Sequence, residues 1–210
     1  LFVLGLQILP NKERWWLLGA TTVGILLSWG YHFEPLSRFF VNYVPMYAQF
    51  RTVSMTLTIS CLCMCIMAFL ALKQWCDSKQ QPSLKPLYIA AGITGGICLV
   101  LAVFPSLAGN FTAPNDARFI GEYAFLKETL PLDRAALLSS DAWRSFVFIA
   151  IAFVVLWLYA KQHIKTQVMA VAMIALVAID MLPIAHRYLN EQHFVTEKST
   201  KNQFQPSAAD

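Results

Sequence analysis

Charged residues leave long gaps along this chain. Trp15–Gly30, Thr52–Leu72, Leu87–Phe104 and Ser145–Ala160 contain no Asp, Glu, Lys or Arg, and Val168–Leu182 contains Asp180 alone. A helix needs about 20 apolar residues, with a lower limit near 17, to cross the ~30 Å hydrocarbon layer of a bilayer. The runs lack the period-two alternation of a membrane β-strand, so the pattern predicts helices. Leu1–Leu9 reads as the truncated end of one more helix, set off by the charged turn Asn11-Lys12-Glu13-Arg14. The expected fold is an all-α polytopic membrane bundle. It has five full spans near 15–30, 52–72, 87–104, 145–160 and 168–182, and a partial one near 1–9. Residues 1–186 then form the transmembrane region, and 187–210 begin an extracytoplasmic region. The first full run is short, but tryptophan at both ends suits the two interfaces. Gly92-x-x-x-Gly96 predicts close helix packing.

The segments between the spans differ in length and charge. If the turns alternate sides, one side holds 11–14, 73–86 and 161–167. These carry seven of the sixteen basic residues: Lys12, Arg14, Lys73, Lys79, Lys85, Lys161 and Lys165. The other nine spread over much longer segments that also hold nine carboxylates. The denser basic side is expected to be cytoplasmic, which puts the long segments and the tail outside. Pro35–Phe50 is rich in aromatics (Phe39, Phe40, Tyr43, Tyr47) and reads as an interfacial or re-entrant segment. The alternative is a groove for a long acyl or polyprenyl chain or a sugar ring, with the interfacial belt the commoner case. Asn115–Leu130 and Leu132–Arg144 read as two interfacial helices separated by a break at Pro131.

Composition narrows the class further. The 210 residues are 57% hydrophobic and 13% charged, against about 25% charged in an average soluble domain. This excludes an ordinary soluble domain and excludes disorder. The opening at Leu1, inside an apolar run, and the close on a polar stretch read as a piece of a longer protein. The net charge of +4 is split among short turns, which gives no footing for nucleic acid. Cys61, Cys63 and Cys65 fall two apart, about 200° around a helix, and cannot share a metal. With Cys76 and Cys98 they read as small apolar packing residues.

Phosphate-cradling, dinucleotide, zinc-protease and serine-hydrolase motifs are absent, and His32, His163, His186 and His193 show no ligand spacing. What remains is a set of charges at the outer ends of the spans. Arg51 opens the second full span, after Tyr47 and Phe50. Asp141 and Arg144 open the fourth and share a helix face. Asp180 lies about one turn inside the end of the last, with Arg187 beyond it. Intramembrane carboxylates are costly and usually have partners within the bundle. An arginine at that level suits a phosphate, which its guanidinium can bind bidentately. The same residues read alternatively as headgroup snorkels and helix ties.

Three stretches resemble YfhO-type bacterial integral membrane proteins, Bacteroidetes-like members included. They are Asn42-Tyr43-Val44-Pro45-Met46-Tyr47-Ala48-Gln49-Phe50-Arg51-Thr52-Val53-Ser54-Met55; Asp133-Arg134 through Asp141-Ala142-Trp143-Arg144-Ser145; and Asp180 followed by Arg187-Tyr188-Leu189-Asn190. The resemblance implies a GT-C-like glycosyltransferase in the bacterial cytoplasmic membrane. Such an enzyme takes a sugar from a polyprenyl-phosphate donor and transfers it to a cell-envelope acceptor outside. It also implies a catalytic carboxylate in an earlier loop, so no catalytic residue is assigned here. Arg51, Arg144, Asp141, Asp180 and Tyr47 are the candidates for contact with the lipid phosphate and sugar. No cofactor is identified, and a divalent metal can assist such chemistry. Membrane lipid is the constant partner. The competing classes are a transporter or flippase for a lipid or envelope precursor, and a non-catalytic scaffold. A transporter calls for polar residues near mid-membrane, where this sequence offers Thr56, Thr58, Ser60 and Thr94. A scaffold would tolerate free exchange of the outer charges.

Overall fold

The computed structural model describes residues 1–45, 47, 53–77, 83–112, 116, 126–189 and 194. Among the described residues the regular elements are helices: α1 (Phe2–Ile8), α2 (Asn11–Ser28), α3 (Glu34–Tyr43), α4 (Leu57–Cys76), α5 (Leu84–Val103), α6 (Leu126–Ala160) and α7 (Thr166–Tyr188). Short 3-10 turns occupy Gly30–Phe33, Val53–Thr56 and Pro105–Ala108. The contacts divide the chain into two units, Leu1–Ile164 with α1–α6 and Lys165–Asp210 with α7.

Among the described residues four helices are long and apolar enough to cross a membrane: α4, α5, the Thr129–Ala160 part of α6, and α7. In none of them is more than 22% of the apolar window buried, and Phe69, Ile93, Ile97, Val171 and Ile174 stand exposed. A continuous apolar surface of this kind does not suit water, and helices that satisfy their own backbones suit hydrocarbon. The chain is a helical membrane protein.

The element bounds correct several expectations. α1 is two turns long and ends before Pro10, because the residue before a proline is pushed out of the helical region. α2 starts at Asn11 and takes Lys12, Glu13 and Arg14 into its first turn, so it is more charged than the four spans. The largest correction is α6. Pro131 does not divide 115–130 from 132–144: a single helix runs from Leu126 through Pro131 to Ala160. Proline removes one backbone donor, and here it does so in the second turn, where the long apolar stretch beyond it holds the helix. Similarly, α7 continues through Pro183 to Tyr188. Most of the expected Asn115–Leu130 helix lies outside the described residues.

Within the first unit α2 runs antiparallel to α4. The Ser60 hydroxyl donates to the Thr21 carbonyl at 3.0 Å and the Thr56 hydroxyl to the Gly24 carbonyl at 3.3 Å. Gly24 permits this approach, since a Cβ there would collide with the Ser60 Oγ and stand 3.2 Å from the Thr56 carbonyl. Leu9, Leu17, Cys63 and Met67 form the buried core beside it, with Phe2, Leu6, Ala20, Ile66 and Leu70 packed around. α1 lies against α4 through Gly5, where a Cβ would stand 2.7 Å from the Met67 Cγ.

α5 and α6 also run antiparallel. Ser139 donates to the Ala102 carbonyl at 2.7 Å at one end. Trp157 Nε1–H donates to the Tyr88 hydroxyl at 3.1 Å at the other, where Tyr88 also meets Phe153 at 5.5 Å between centroids. Gly95 sits between, where an added Cβ would stand 3.8 Å from Phe146 and Ile149. At Gly92 and Gly96, expected at a close contact, an added Cβ would meet nothing within 4 Å. Gly95 lies 100° from Gly96 on the helix, and its face is the one that meets α6.

The end of the bundle holding Trp75, Tyr88 and Trp157 is tightly tied. Trp75 meets Tyr159 at 6.0 Å, and Gln7 donates to the Pro86 carbonyl at 3.2 Å. α6 stops in a Schellman motif: Gln162 takes a left-handed φ of 61°, its N–H reaches the Tyr159 carbonyl, and the His163 N–H reaches that of Leu158. Those two bonds satisfy carbonyls that the helix end would otherwise leave unpaired.

The Gly24 contact gives a direct test. Gly24→Leu is expected to lower the thermal midpoint of the detergent-solubilised protein, at an overpacking cost of about 1–3 kcal/mol. Gly92→Ala, on an open face, is expected to leave it unchanged or raise it. Equal midpoints for Gly24→Leu and the parent would rule out this register of α2 on α4.

Candidate functional site

The candidate site is the head of α6, and helix arithmetic places it. Counting back from Ala160, 20 residues reach Asp141 and cover about 30 Å, the thickness of the hydrocarbon layer. The remaining residues of the 35-residue helix extend about 22 Å further. The neighbouring span agrees, because α5 ends at Val103 and Ser139 is bonded beside it at Ala102. Asp141, Trp143 and Arg144 therefore occupy the turn where α6 leaves the apolar layer, and Asp133 and Arg134 stand beyond it.

Asp141 is exposed. Arg144 is half-buried, and its guanidinium lies 5.8 Å from the Phe148 ring centroid, one turn deeper. A cation over a ring face gains from the ring quadrupole, which suits an arginine stem running along an apolar helix. Trp143 meets Phe146 edge to face at 6.0 Å. A tryptophan at this level matches the aromatic belt of a membrane boundary.

Beyond that turn the structure shows an ion pair that the sequence reading did not single out. Arg134 grips Asp116 with both arms, Nη1 to Oδ2 at 2.8 Å and Nη2 to Oδ1 at 2.7 Å. Nη1 also donates to the Phe111 carbonyl at 2.7 Å. Asp116 is 8% exposed. Phe111 has a φ of 55°, a left-handed conformation uncommon outside glycine. The fork of Arg134 thus holds an unfavourable backbone position and a buried carboxylate together, and ties Phe111 and Asp116 onto the head of α6. Arg and Asp lie 18 residues apart, a separation that no local spacing rule reveals.

The other candidates fall in different places. Tyr47 follows α3, its N–H bonded to the Val44 carbonyl at 3.2 Å and its ring 5.4 Å from Phe40. Arg51 lies outside the described residues. Asp180 is half-buried in α7, eight residues or about 12 Å before the helix ends at Tyr188. Because α2 and α4 are antiparallel, as are α5 and α6, α3, Tyr47 and the head of α6 all emerge at the same end of the first unit. Among the described residues no three His, Cys, Asp or Glu side chains are placed to hold a metal ion.

The Arg134 fork is the part of this site open to a stability test. Asp116→Ala leaves a partly buried guanidinium without its carboxylate, at a cost of about 1–3 kcal/mol. Amide hydrogen exchange at 109–112 is expected to accelerate while exchange in α4 and α5 is unchanged. Unaltered exchange at 109–112 would mean that other contacts hold this segment.

The comparisons with known proteins return nothing: no family model, no curated protein and no solved structure matches this chain.

Proposed function

We propose that this chain forms part of a membrane glycosyltransferase of the GT-C type, in the cytoplasmic membrane of a bacterium. In this reading it moves a sugar from a polyprenyl-phosphate donor to a cell-envelope acceptor at the outer face. The observation that carries the reading is the head of α6, where Asp141 and Arg144 stand where the helix leaves the apolar layer. A polyprenyl-phosphate sugar needs that level, since its tail belongs in hydrocarbon and its phosphate in the interface. The end of the bundle with Lys12, Arg14, Lys73, Lys85 and Lys161 is assigned to the cytoplasm by its basic excess. The head of α6 then faces outward.

The chemistry follows from the charges. A carboxylate supplied from elsewhere in the enzyme takes the proton of the acceptor hydroxyl as its oxygen attacks the anomeric carbon. The bond from that carbon to the phosphate oxygen breaks, and the polyprenyl phosphate leaves with the electron pair. Arg144, with Arg51 from the segment after Tyr47, stabilises the negative charge that grows on the leaving phosphate. Asp141 orients an arginine or accepts a sugar hydroxyl, and Tyr47 offers an aromatic wall. A divalent metal can assist, although no described residues are grouped to bind one.

The hydroxyls within the spans support an enzyme over a conduit. Ser60 and Thr56 are bonded to carbonyls of α2 and Thr94 to the Ala90 carbonyl of its own helix, so these three hydroxyls already have protein partners.

The test uses the complete parent protein in membrane vesicles with labelled polyprenyl-phosphate sugars. Arg144→Ala and Arg51→Ala are each expected to reduce transfer about a hundredfold, the size of effect seen when one charge-stabilising donor is lost, with insertion and folding retained. Full transfer by Arg144→Ala would remove that residue from the reaction. No transfer by folded wild type with any donor would favour the transporter reading, and flipping assays would then decide.

A further inference from the structure

We infer that α3 is an interfacial helix that lies in the plane of the membrane, with its aromatic face pressed into the headgroup–acyl boundary of the bilayer. The inference is independent of the proposed glycosyl transfer.

The two faces of α3 are sharply divided. Leu36, Phe39, Phe40 and Tyr43 recur at the spacing that lines one side of a helix. The rings form a continuous run: Phe39 meets Phe40 at 5.7 Å, Phe39 meets Tyr43 at 5.2 Å and Phe40 meets Tyr47 at 5.4 Å. Opposite them, Glu34 and Arg38 form an ion pair one turn apart at 2.6 Å. No other protein segment among the described residues covers the outer rings, since Phe39 is 53% and Tyr43 74% exposed.

The occupant follows from where the helix begins. The α2–α4 hydrogen bonds set Gly24 beside Thr56 and Thr21 beside Ser60. The last turn of α2 is therefore level with Val53–Thr56, the turn that leads into the α4 span. Trp29, 53% exposed, stands at that level. Gly30 takes a φ of 50°, and the chain turns through Gly30–Phe33 into α3. The Ser37 hydroxyl then donates to the Gly30 carbonyl at 2.8 Å. This bond ties the first turn of α3 to the turn that follows α2, so the helix starts at that level. An aromatic face held at the membrane boundary, continuous with the apolar flanks of the spans, is covered by lipid.

The charge on α3 sharpens the partner. Glu34 and Arg38 cancel, and among the described residues no basic stripe flanks the rings, so α3 itself gains little from anionic headgroups. The helix is suited to neutral phospholipid and is held by its rings and not by electrostatics. This also separates the Phe39 and Tyr43 rings, though not Tyr47 beyond the helix, from a groove that waits for a polyprenyl phosphate.

The test places the photoreactive analogue benzoylphenylalanine, one position at a time, at Phe39, Tyr43, Glu34 or Arg38 of the full-length protein. Each variant is reconstituted into phosphatidylcholine vesicles and irradiated, and its adducts are read by mass spectrometry. Phospholipid adducts at 39 and 43 are expected to exceed those at 34 and 38 severalfold. The yields should not change with added phosphatidylglycerol or with salt. Equal yields on both faces would overturn the inference, as would adducts at 39 and 43 to protein. A requirement for phosphatidylglycerol would overturn the neutral-lipid assignment. Lipid adducts that appear only after polyprenyl phosphate is added would identify the face as a donor groove instead.

Discussion

The close contact of α2 with α4 fixes the levels at which the other elements of the first unit can lie. A hydroxyl on α4 can reach a carbonyl on α2 only when the two backbones nearly touch, and Gly24 is the residue that lets them. In hydrocarbon there is no hydrophobic gain in bringing helices together, so packing and such bonds must hold them. Ser60 and Thr56 make the contact directional as well as close. They set the antiparallel register, the register sets the level at which α2 ends, and that level determines where α3 can lie. Removing the fit at Gly24 would therefore disturb the aromatic surface of α3, which Gly24 does not itself touch.

The span of α6 works by a different constraint, that of length. A helix longer than the bilayer is thick must tilt or leave it. The Ser139–Ala102 bond beside the end of α5 argues for leaving, since the neighbouring helix stops at that level. The protruding turns would be a bare rod in water without support. Arg134 supplies that support by drawing Asp116 and the Phe111 carbonyl against the helix.

The features legible in the sequence are those that depend on local composition. Four of the five apolar runs lie in the four apolar helices, because exclusion of charge is a property of consecutive residues. The aromatic character of 39–47 is equally plain. Features that depend on two distant segments are hidden. The Asp116–Arg134 pair bridges 18 residues, and no periodicity points to it. Gly92-x-x-x-Gly96 fits a packing pattern, yet the contact uses Gly95, because the pattern does not say which face meets a neighbour. Pro131 illustrates the limit of a single residue as a signal. A proline removes one hydrogen bond, and a helix that gains many others can absorb the loss. Arg51, which the sequence singles out at the mouth of a span, falls outside the described residues.

The two ends of the first unit divide the work between them. At one end the connection from α1 to α2 is no more than Leu9 and Pro10, α6 is stopped by its Schellman bonds, and Trp75, Tyr159, Trp157 and Tyr88 lock three helices together. At the other, 29–56 and 104–125 are long connections with room for turns, an amphipathic helix and an ion pair. Side chains that must meet a ligand gain from loop length, and they gain accuracy from a scaffold that does not shift. Tying the helices at one end leaves the other free to vary without loosening the bundle. A lipid-linked substrate would make use of that arrangement. Its tail needs the apolar flanks that every span already presents, and its polar head needs charges fixed at one depth, where α6 carries Asp141 and Arg144.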